Sequence, residues 1–287
     1  MARFLFVSDT QSPLWFETLR SKADGNEAAT ERILIAMSHD APAVAAFHLG
    51  DFTALGSFSS YWRRFDEQAA PLGKAGIPLY PAFGNHDYMP FGSRGRRNLV
   101  ARFPFMGPPW YVTRVDSIAV VILNSNFAHL SGVETEAQQR WYEESLDTLD
   151  RDTSVTLIMV ACHHPPYTNS KVIDPSAEVQ KVFVPPFIQS HKARVFLSGH
   201  THAFEHFHVS GKDFLVMGGG GGLLHTLRQR KAQRQRDQYP HDSARGFFHY
   251  LRCTSVRDAL AMSVVRLSAD KSSFDVTYTL SVALTSR

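Results

Sequence analysis

Short apolar runs alternate with amphipathic segments along the first two-thirds of the chain. Residues 4–7 form a continuous apolar run, and residues 44–49 and 155–160 are mostly apolar; such runs are typical of strands buried on both faces of a sheet. Residues 26–37 and 135–149 carry apolar side chains at helical spacing. This alternation of strands and helices predicts an α/β domain with parallel strands.

Other patterns predict the boundaries of these elements. Thr135 and Gln138 have the spacing of a capping box at the start of the second helix, and residues 88–110, which are rich in Gly, Pro and Arg, predict a loop. The segment that follows Gly246 alternates apolar and polar side chains. It therefore predicts antiparallel strands that close a second sheet.

The predicted strands end in side chains that can bind metal ions. These side chains are Asp9 and Gln11, Asp51, Asn85 with His86 and Asp87, His163 with His164, and His200 with His202. The carboxyl ends of parallel strands meet at one edge of a sheet, so we expect them to lie together. Carboxylates, imidazoles and amide oxygens form a mixed set that suits Mn, Fe, Zn or Ni better than ions that prefer thiolates. The pattern predicts a metal centre at this edge.

Length, composition and charge restrict the class of protein that contains this centre. The chain has 287 residues, and 44% of them are hydrophobic, which is enough for a full core. We predict one domain over residues 1–287, with the basic residues 226–240 as a mobile insertion.

The net charge of the chain, +3, is too small to indicate a nucleic-acid-binding protein. Two cysteines exclude a disulfide framework. With no signal-peptide pattern and no apolar run near the roughly 20 residues of a membrane span, we expect a cytoplasmic protein without membrane contact.

Five blocks of this sequence, in order, resemble the calcineurin-like metallophosphoesterase superfamily. That superfamily is marked by Asp-x-His, Gly-Asp, Gly-Asn-His-Asp/Glu, a lone His and Gly-His-x-His; the matching blocks here begin at Asp9, Gly50, Gly84, His163 and Gly199. The resemblance covers residues 3–222 and implies a four-layer α/β/β/α sandwich, with two mixed sheets flanked by helices.

The resemblance also implies two divalent or mixed-valence metal ions, with Mn or Fe expected and Zn or Ni as alternatives. The implied ligands form two sets that share Asp51: Asp9, Gln11, Asp51 and His202 for one ion, and Asp51, Asn85, His163 and His200 for the other. A hydroxide that bridges the two ions would attack phosphorus in line. His86 would protonate the leaving oxygen, and Asp87 would hold the ring of His86.

The chain departs from the family pattern in its first block, which usually ends in His but here ends in Gln11. The manganese-dependent ADP-ribose/CDP-alcohol diphosphatases are similar in this respect, and we expect a more weakly held first metal. Purple acid phosphatases resemble the chain in the His163-His-Pro block and the glycine run 218–222. However, the block at Gly50 lacks the tyrosine of their Gly-Asp-x-x-Tyr, so the purple colour should be absent.

These features predict a dinuclear metal-dependent phosphoesterase that hydrolyses a phosphate ester of a small molecule. One alternative is a nuclease or phosphodiesterase that contacts nucleic acid through the basic residues 228–236. Another is a scaffold that has lost a metal because of Gln11. The sequence leaves the substrate, the native metal and the oligomeric state open.

Other histidines and arginines of the sequence could also belong to the metal centre. We expect His164 to face the substrate or to support a ligand rather than to bind metal. We expect His206 and His208 to lie on a solvated face and His225 to have no role. A solvated basic loop is the preferred interpretation of Arg94, Arg96 and Arg97, with a phosphate clamp as the alternative.

Overall fold

Two six-stranded mixed sheets form the centre of the computed structural model, which describes residues 2–18, 23 and 25–285. The strands of the first sheet are β1 (Arg3–Val7), β2 (Ala43–His48), β3 (Leu79–Pro81), β10 (His249–Val256), β11 (Ala259–Leu267) and β12 (Phe274–Ala283). Their order is β12-β11-β10-β1-β2-β3, with β1, β2 and β3 parallel and the other pairs antiparallel.

The second sheet has the order β4-β5-β6-β7-β9-β8. Its strands are β4 (Tyr111–Val115), β5 (Ile118–Ile122), β6 (Leu157–Ala161), β7 (Ala193–Ser198), β8 (Phe204–Val209) and β9 (Lys212–Met217). The four central strands are parallel, and β4 and β8 are antiparallel edge strands.

Helices cover the outer face of each sheet. They are α1 (Trp15–Thr18), α2 (Asn26–Ser38), α3 (Ser59–Lys74), α4 (Asn85–Tyr88), α5 (Gly92–Arg102), α6 (Gly132–Arg151), α7 (Ala177–Val182) and α8 (Val184–Gln189), with short 3-10 turns at Phe127–His129 and Arg230–Ala232. None of the helices in the described residues has the length and hydropathy needed to cross a membrane.

Three buried apolar clusters hold the layers together. Phe4 and Phe47 from the first sheet meet Leu197 from the second in the cluster between the sheets. A second cluster packs α2 and α3 against the first sheet, and a third packs α6 and α8 against the second. The result is the predicted order of layers, helix, sheet, sheet and helix. Cys162 and Cys253 are free and buried, as expected.

The last three strands do not close a second sheet, so that part of the prediction is wrong. They extend the first sheet, because β10 pairs with β1 in a register that places Phe4 opposite Cys253. Alternating polarity indicates an antiparallel strand with one wetter face, but it does not identify the strand with which it pairs.

Two predicted boundaries are also wrong. Residues 88–110 contain helix α5, and the helix predicted to begin at Thr135 begins at Gly132. Its capping box is formed by Ser131 and Glu134: the Ser131 side chain accepts from the Glu134 N–H at 3.2 Å, and the Ser131 N–H donates to Glu134 at 2.9 Å. Two Ser/Thr-x-x-Glu/Gln patterns lie four residues apart, and the earlier one is used.

The capping geometry predicts different costs for two neighbouring substitutions. Ser131→Ala should lower the free energy of unfolding by about 1 kcal/mol, because it removes the acceptor for an N–H group at the helix start. Thr135→Ala serves as the matched control and should be close to neutral, because Thr135 lies inside α6. Urea unfolding monitored by circular dichroism measures both values. Equal losses would contradict the assignment.

Candidate metal centre

Three of the predicted ligands lie on strained backbone directly after strands. Asp9, Asp51 and His200 have φ values of 60°, 57° and 64°, in the left-handed region that non-glycine residues rarely adopt. Such a conformation costs on the order of 1–3 kcal/mol for each residue and persists only where the surrounding structure imposes it. The strain therefore marks the ends of β1, β2 and β7 as one constrained region.

Glycines allow these strand ends to approach one another. Gly50 has φ 98°, and a Cβ atom there would lie 2.8 Å from Nδ1 of His163. A Cβ atom on Gly199 would lie 2.6 Å from Oδ2 of Asp9. Side chains at these positions would push the ligands from the two sheets apart.

One group of ligand atoms gathers around Nε2 of His163. Oδ1 of Asn85 lies 3.1 Å from this nitrogen, Nδ1 of His200 lies 3.2 Å from it, and Oδ2 of Asp51 lies 3.3 Å from it. The other ring nitrogen, Nδ1, lies 2.8 Å from the carbonyl oxygen of Leu49 and donates to it. The lone pair of Nε2 therefore faces the group, as in metal-binding histidines.

A second group gathers around Nε2 of His202. This nitrogen lies 3.4 Å from Oδ1 of Asp9 and 3.3 Å from Nε2 of Gln11, which in turn lies 3.3 Å from Oδ2 of Asp51. Nδ1 of His202 donates to the carbonyl oxygen of Leu223 at 2.8 Å. The structure thus brings together all seven side chains predicted as ligands, and Oδ2 of Asp51 lies between the two groups.

The chemistry of these groups fits bound cations. Nε2 of His163 and of His202 presents a lone pair toward carboxylate oxygens of buried residues, an arrangement that is repulsive unless a proton or a metal ion lies between them. The amide oxygen of Gln11 is buried and accepts no hydrogen bond from the described residues. Exchanging the two ends of this amide would turn the oxygen toward Asp51 and His202.

The electrostatics favour positive charge at the same point. Burial opposes charging of His163, yet the nearby Asp51 carboxylate raises the pKa of His163 to about 9. Burial lowers the pKa of His200 well below its ordinary value, so that imidazole is neutral, the form that binds metals.

His86 and Asp87 do not interact as predicted. Nδ1 of His86 donates to the carbonyl oxygen of Ala54 at 2.9 Å, which orients the ring. The carboxylate of Asp87 instead accepts from the N–H groups of Gly84 at 2.9 Å and of Asp51 and Phe52 at 3.0 Å. The prediction that Asp87 holds His86 is wrong. At the third position of α4 its side chain turns back to the helix start, where unpaired N–H groups need acceptors.

The comparisons with known proteins identify the family. The model of the calcineurin-like phosphoesterase family matches residues 2–204. The chain belongs to this family. Membership confirms the predicted family.

Individual relatives are distant. The chain is 25% identical over 178 residues to probable inactive purple acid phosphatase 24 of Arabidopsis thaliana, an alignment that covers 55% of this chain and 28% of that protein. Among solved structures it is similar to purple acid phosphatase PPD1 from Lupinus luteus, with 18% identity and a TM-score of 0.69, over 98% of this chain and 53% of that one. The chain therefore spans about half the length of the lupin protein.

Two further solved structures share the fold over most of both chains. GAP50, the anchor in the inner membrane complex of Plasmodium, is 12% identical with a TM-score of 0.76, over 100% of this chain and 90% of that one. A dimetal phosphatase from Danio rerio is 14% identical with a TM-score of 0.62, over 99% of each chain. These likenesses confirm the predicted fold of two mixed sheets flanked by helices.

Three further histidines can be compared with expectation. His225, predicted to have no role, stacks on the ring of His202 with centroids 4.5 Å apart. His206 is buried against Asp213 and Tyr278, so the prediction of a solvated face is wrong for it, whereas His208 is exposed as expected. Periodicity along β8 shows that His206 and His208 share a face of the strand. It does not show that Tyr278 of β12 contacts His206 and leaves His208 exposed.

Arginines from two basic segments form contacts with other parts of the chain. Arg96 lies in helix α5, so the prediction of a basic loop is wrong, and its pairing with Glu134 at 2.8 Å gives no support to a phosphate clamp. In the segment 226–240, the guanidinium of Arg234 donates to backbone carbonyls, and the Asn169 side chain accepts from the Arg234 N–H at 2.7 Å. The segment is anchored at this point, and its mobility stays a prediction.

The geometry around Gln11 predicts a change in metal content. Gln11→Ala should reduce the metal retained after dialysis from about two ions per chain to about one, since two-metal sites bind each ion through its own ligands. Thr10→Ser is the matched control, because it keeps the hydroxyl that bonds His48 and lies outside the metal centre. Elemental analysis measures both proteins. An unchanged metal content in Gln11→Ala would remove Gln11 from the ligands.

Proposed function

We propose that this chain is a dinuclear metal-dependent phosphoesterase that hydrolyses a phosphate ester of a small molecule. The observation that carries the proposal is the position of the Asp51 carboxylate. Its Oδ2 atom lies 3.3 Å from Nε2 of His163 in one group of ligand atoms and 3.3 Å from the Gln11 amide in the other. A carboxylate placed in this way can serve two cations at once.

Each group supplies four ligands, and the two groups share Asp51: Asp9, Gln11, Asp51 and His202 for one ion, and Asp51, Asn85, His163 and His200 for the other. The set contains oxygen and imidazole donors without a thiolate. It therefore favours Mn or Fe, with Zn or Ni as alternatives. When bound, two such cations would activate a water molecule near neutral pH and stabilise negative charge on the phosphoryl oxygens.

His86 is placed to act as the general acid. Because Nδ1 donates to Ala54, Nε2 is the ring nitrogen left to exchange a proton with substrate. The backbone N–H of His86 donates to Oδ1 of Asp51 at 2.8 Å, which fixes the ring next to the metal ligands. General-acid assistance to a leaving oxygen is worth roughly 10²–10⁴-fold.

A catalytically silent scaffold is the second candidate. It is favoured by Gln11 in place of the usual His and by the word inactive in the name of the Arabidopsis relative. A nuclease has less support, because the guanidinium of Arg234 is engaged with the protein's own carbonyl groups. The net charge of +3 gives it no further support.

Substitution of His86 tests its role. His86→Ala should retain both metals and lower kcat by roughly 10²–10⁴-fold for an alkyl phosphate, since protonation of the leaving oxygen is lost. The loss should be much smaller for p-nitrophenyl phosphate, whose leaving group needs no proton. Turnover of both substrates and elemental analysis are the measurements. A variant without metal would show that His86 supports the site itself.

A substrate panel separates the enzyme from the scaffold. We expect the Mn-loaded protein to hydrolyse chromogenic monoesters or diesters, and chelation to abolish this activity, because the ligand groups need cations to work. The matched control is Asp51→Asn, which should lower both metal content and turnover. A folded wild-type protein that hydrolyses no mono-, di- or pyrophosphate substrate would favour the scaffold.

A further inference from the structure

His164 lies beside the predicted metal ligands and outside the predicted set. Its ring centroid is 5.0 Å from that of His163 and 4.6 Å from that of His200. A ring nitrogen of each of the three histidines lies within 4.8 Å of the others. His163 is fully buried, whereas His164 is partly exposed.

Ser125 fixes the orientation of this ring. Its hydroxyl oxygen accepts from the backbone N–H of His164 at 2.9 Å and lies 2.8 Å from Nδ1 of the same residue. Ser125 is buried in the loop after β5. One buried hydroxyl therefore contacts both the backbone and the ring of His164. The ring cannot rotate without breaking its hydrogen bond to Ser125.

The same contact is compatible with a ring proton on Nε2. Either atom of the Ser125–Nδ1 pair can donate, and when the Ser125 hydroxyl donates, the neutral ring carries its hydrogen on Nε2. Nε2 has no hydrogen-bond partner among residues 2–18, 23 and 25–285, and it is not among their buried unpaired atoms. In this form His164 presents an N–H donor beside the ligand group.

A donor at this point does not suit a metal and does suit an anion. A protonated Nε2 has no lone pair for a cation, and the nearest ligand group already contains Asp51, Asn85, His163 and His200. A phosphate oxygen, by contrast, accepts strong hydrogen bonds from N–H donors. His86 differs from His164 in its hydrogen bonds. Its backbone N–H donates to Asp51 and its ring donates to Ala54, so the two histidines are oriented by different residues.

We propose that His164 binds the phosphoryl group of the substrate, with Nε2–H donating to a non-bridging oxygen, and that Ser125 is the residue that positions it. This inference rests on the proposed function, since it assumes that a phosphoryl group occupies the metal centre. It gives His164 a role separate from proton transfer. The contact is made to the group that every substrate shares, so its contribution does not depend on the leaving group.

The test uses the full chain loaded with Mn and inorganic phosphate as the probe. Wild type, His164→Ala, His164→Gln, Ser125→Ala and His208→Ala are compared by elemental analysis, by calorimetric titration with phosphate and by turnover of an alkyl and an aryl phosphate. His208→Ala is the matched control, because it removes an exposed histidine that bonds Asp213 and belongs to neither ligand group. Circular dichroism checks that each variant is folded.

We expect His164→Ala to keep both metals and to bind phosphate about 10–100-fold more weakly, the range for a lost hydrogen bond to a charged group. Turnover should fall by a similar factor for both leaving groups. His164→Gln, which retains an N–H donor, should recover part of the loss. Ser125→Ala should show a smaller loss of the same kind, and His208→Ala none.

Several results would overturn the proposal. Loss of metal in His164→Ala would make His164 a ligand, and unchanged phosphate affinity would show that it does not contact the anion. A loss confined to the poor leaving group would make it an acid. Failure of the metal-loaded wild type to bind phosphate would also refute it. If wild type binds phosphate without hydrolysing any ester, the proposed function fails while weaker binding by His164→Ala still supports this contact.

Discussion

The buried carboxylate of Asp51 is the interaction on which the rest of the site depends. Its Oδ1 atom accepts from the His86 N–H at 2.8 Å, and its Oδ2 atom faces His163 and Gln11 from opposite ligand groups. The residue is 1% exposed, so water cannot compensate its charge. A charge removed from water in this way requires partners of opposite sign, which a protonated His163 or bound cations would supply.

A second buried carboxylate holds the loops in place around the first. Asp87 accepts three backbone N–H groups, two from residues 51–52 and one from Gly84, and so joins the ends of β2 and β3. Burial and the nearby Asp51 raise the pKa of Asp87 to about 8, against the effect of these donors. Cations beside Asp51 would offset this repulsion. The arrangement of backbone donors and the proposed metals are therefore parts of one charge balance.

Sequence patterns predicted which side chains gather at the strand ends, because metal chemistry restricts residue types and strand ends restrict their position. The blocks at Gly50 and Gly199 follow from their place at strand ends together with the family resemblance. The contacts that depend on three-dimensional packing were not. Ala54 holds His86 through its carbonyl oxygen, which any residue could supply, and Asp87 looks the same in sequence whether it bonds a ring or a backbone. Ser125 gave no signal, because a single serine after a strand is common.

The same limit explains why the sequence does not assign the last three strands to the correct sheet. Their true position bears on how the site is built. Asp9, Asp51 and His86 follow strands of the first sheet, whereas His163, His200 and His202 follow strands of the second. The ligand groups exist only when the two sheets pack through their shared core, and β10 completes the first sheet beside β1. Three strained residues oppose this state by an amount on the order of 1–3 kcal/mol each. Ligands that bind only the folded state repay such costs, about 4 kcal/mol at a thousandfold excess over Kd. Strain placed on Asp9, Asp51 and His200 is therefore offset most directly by ions bound at those same residues.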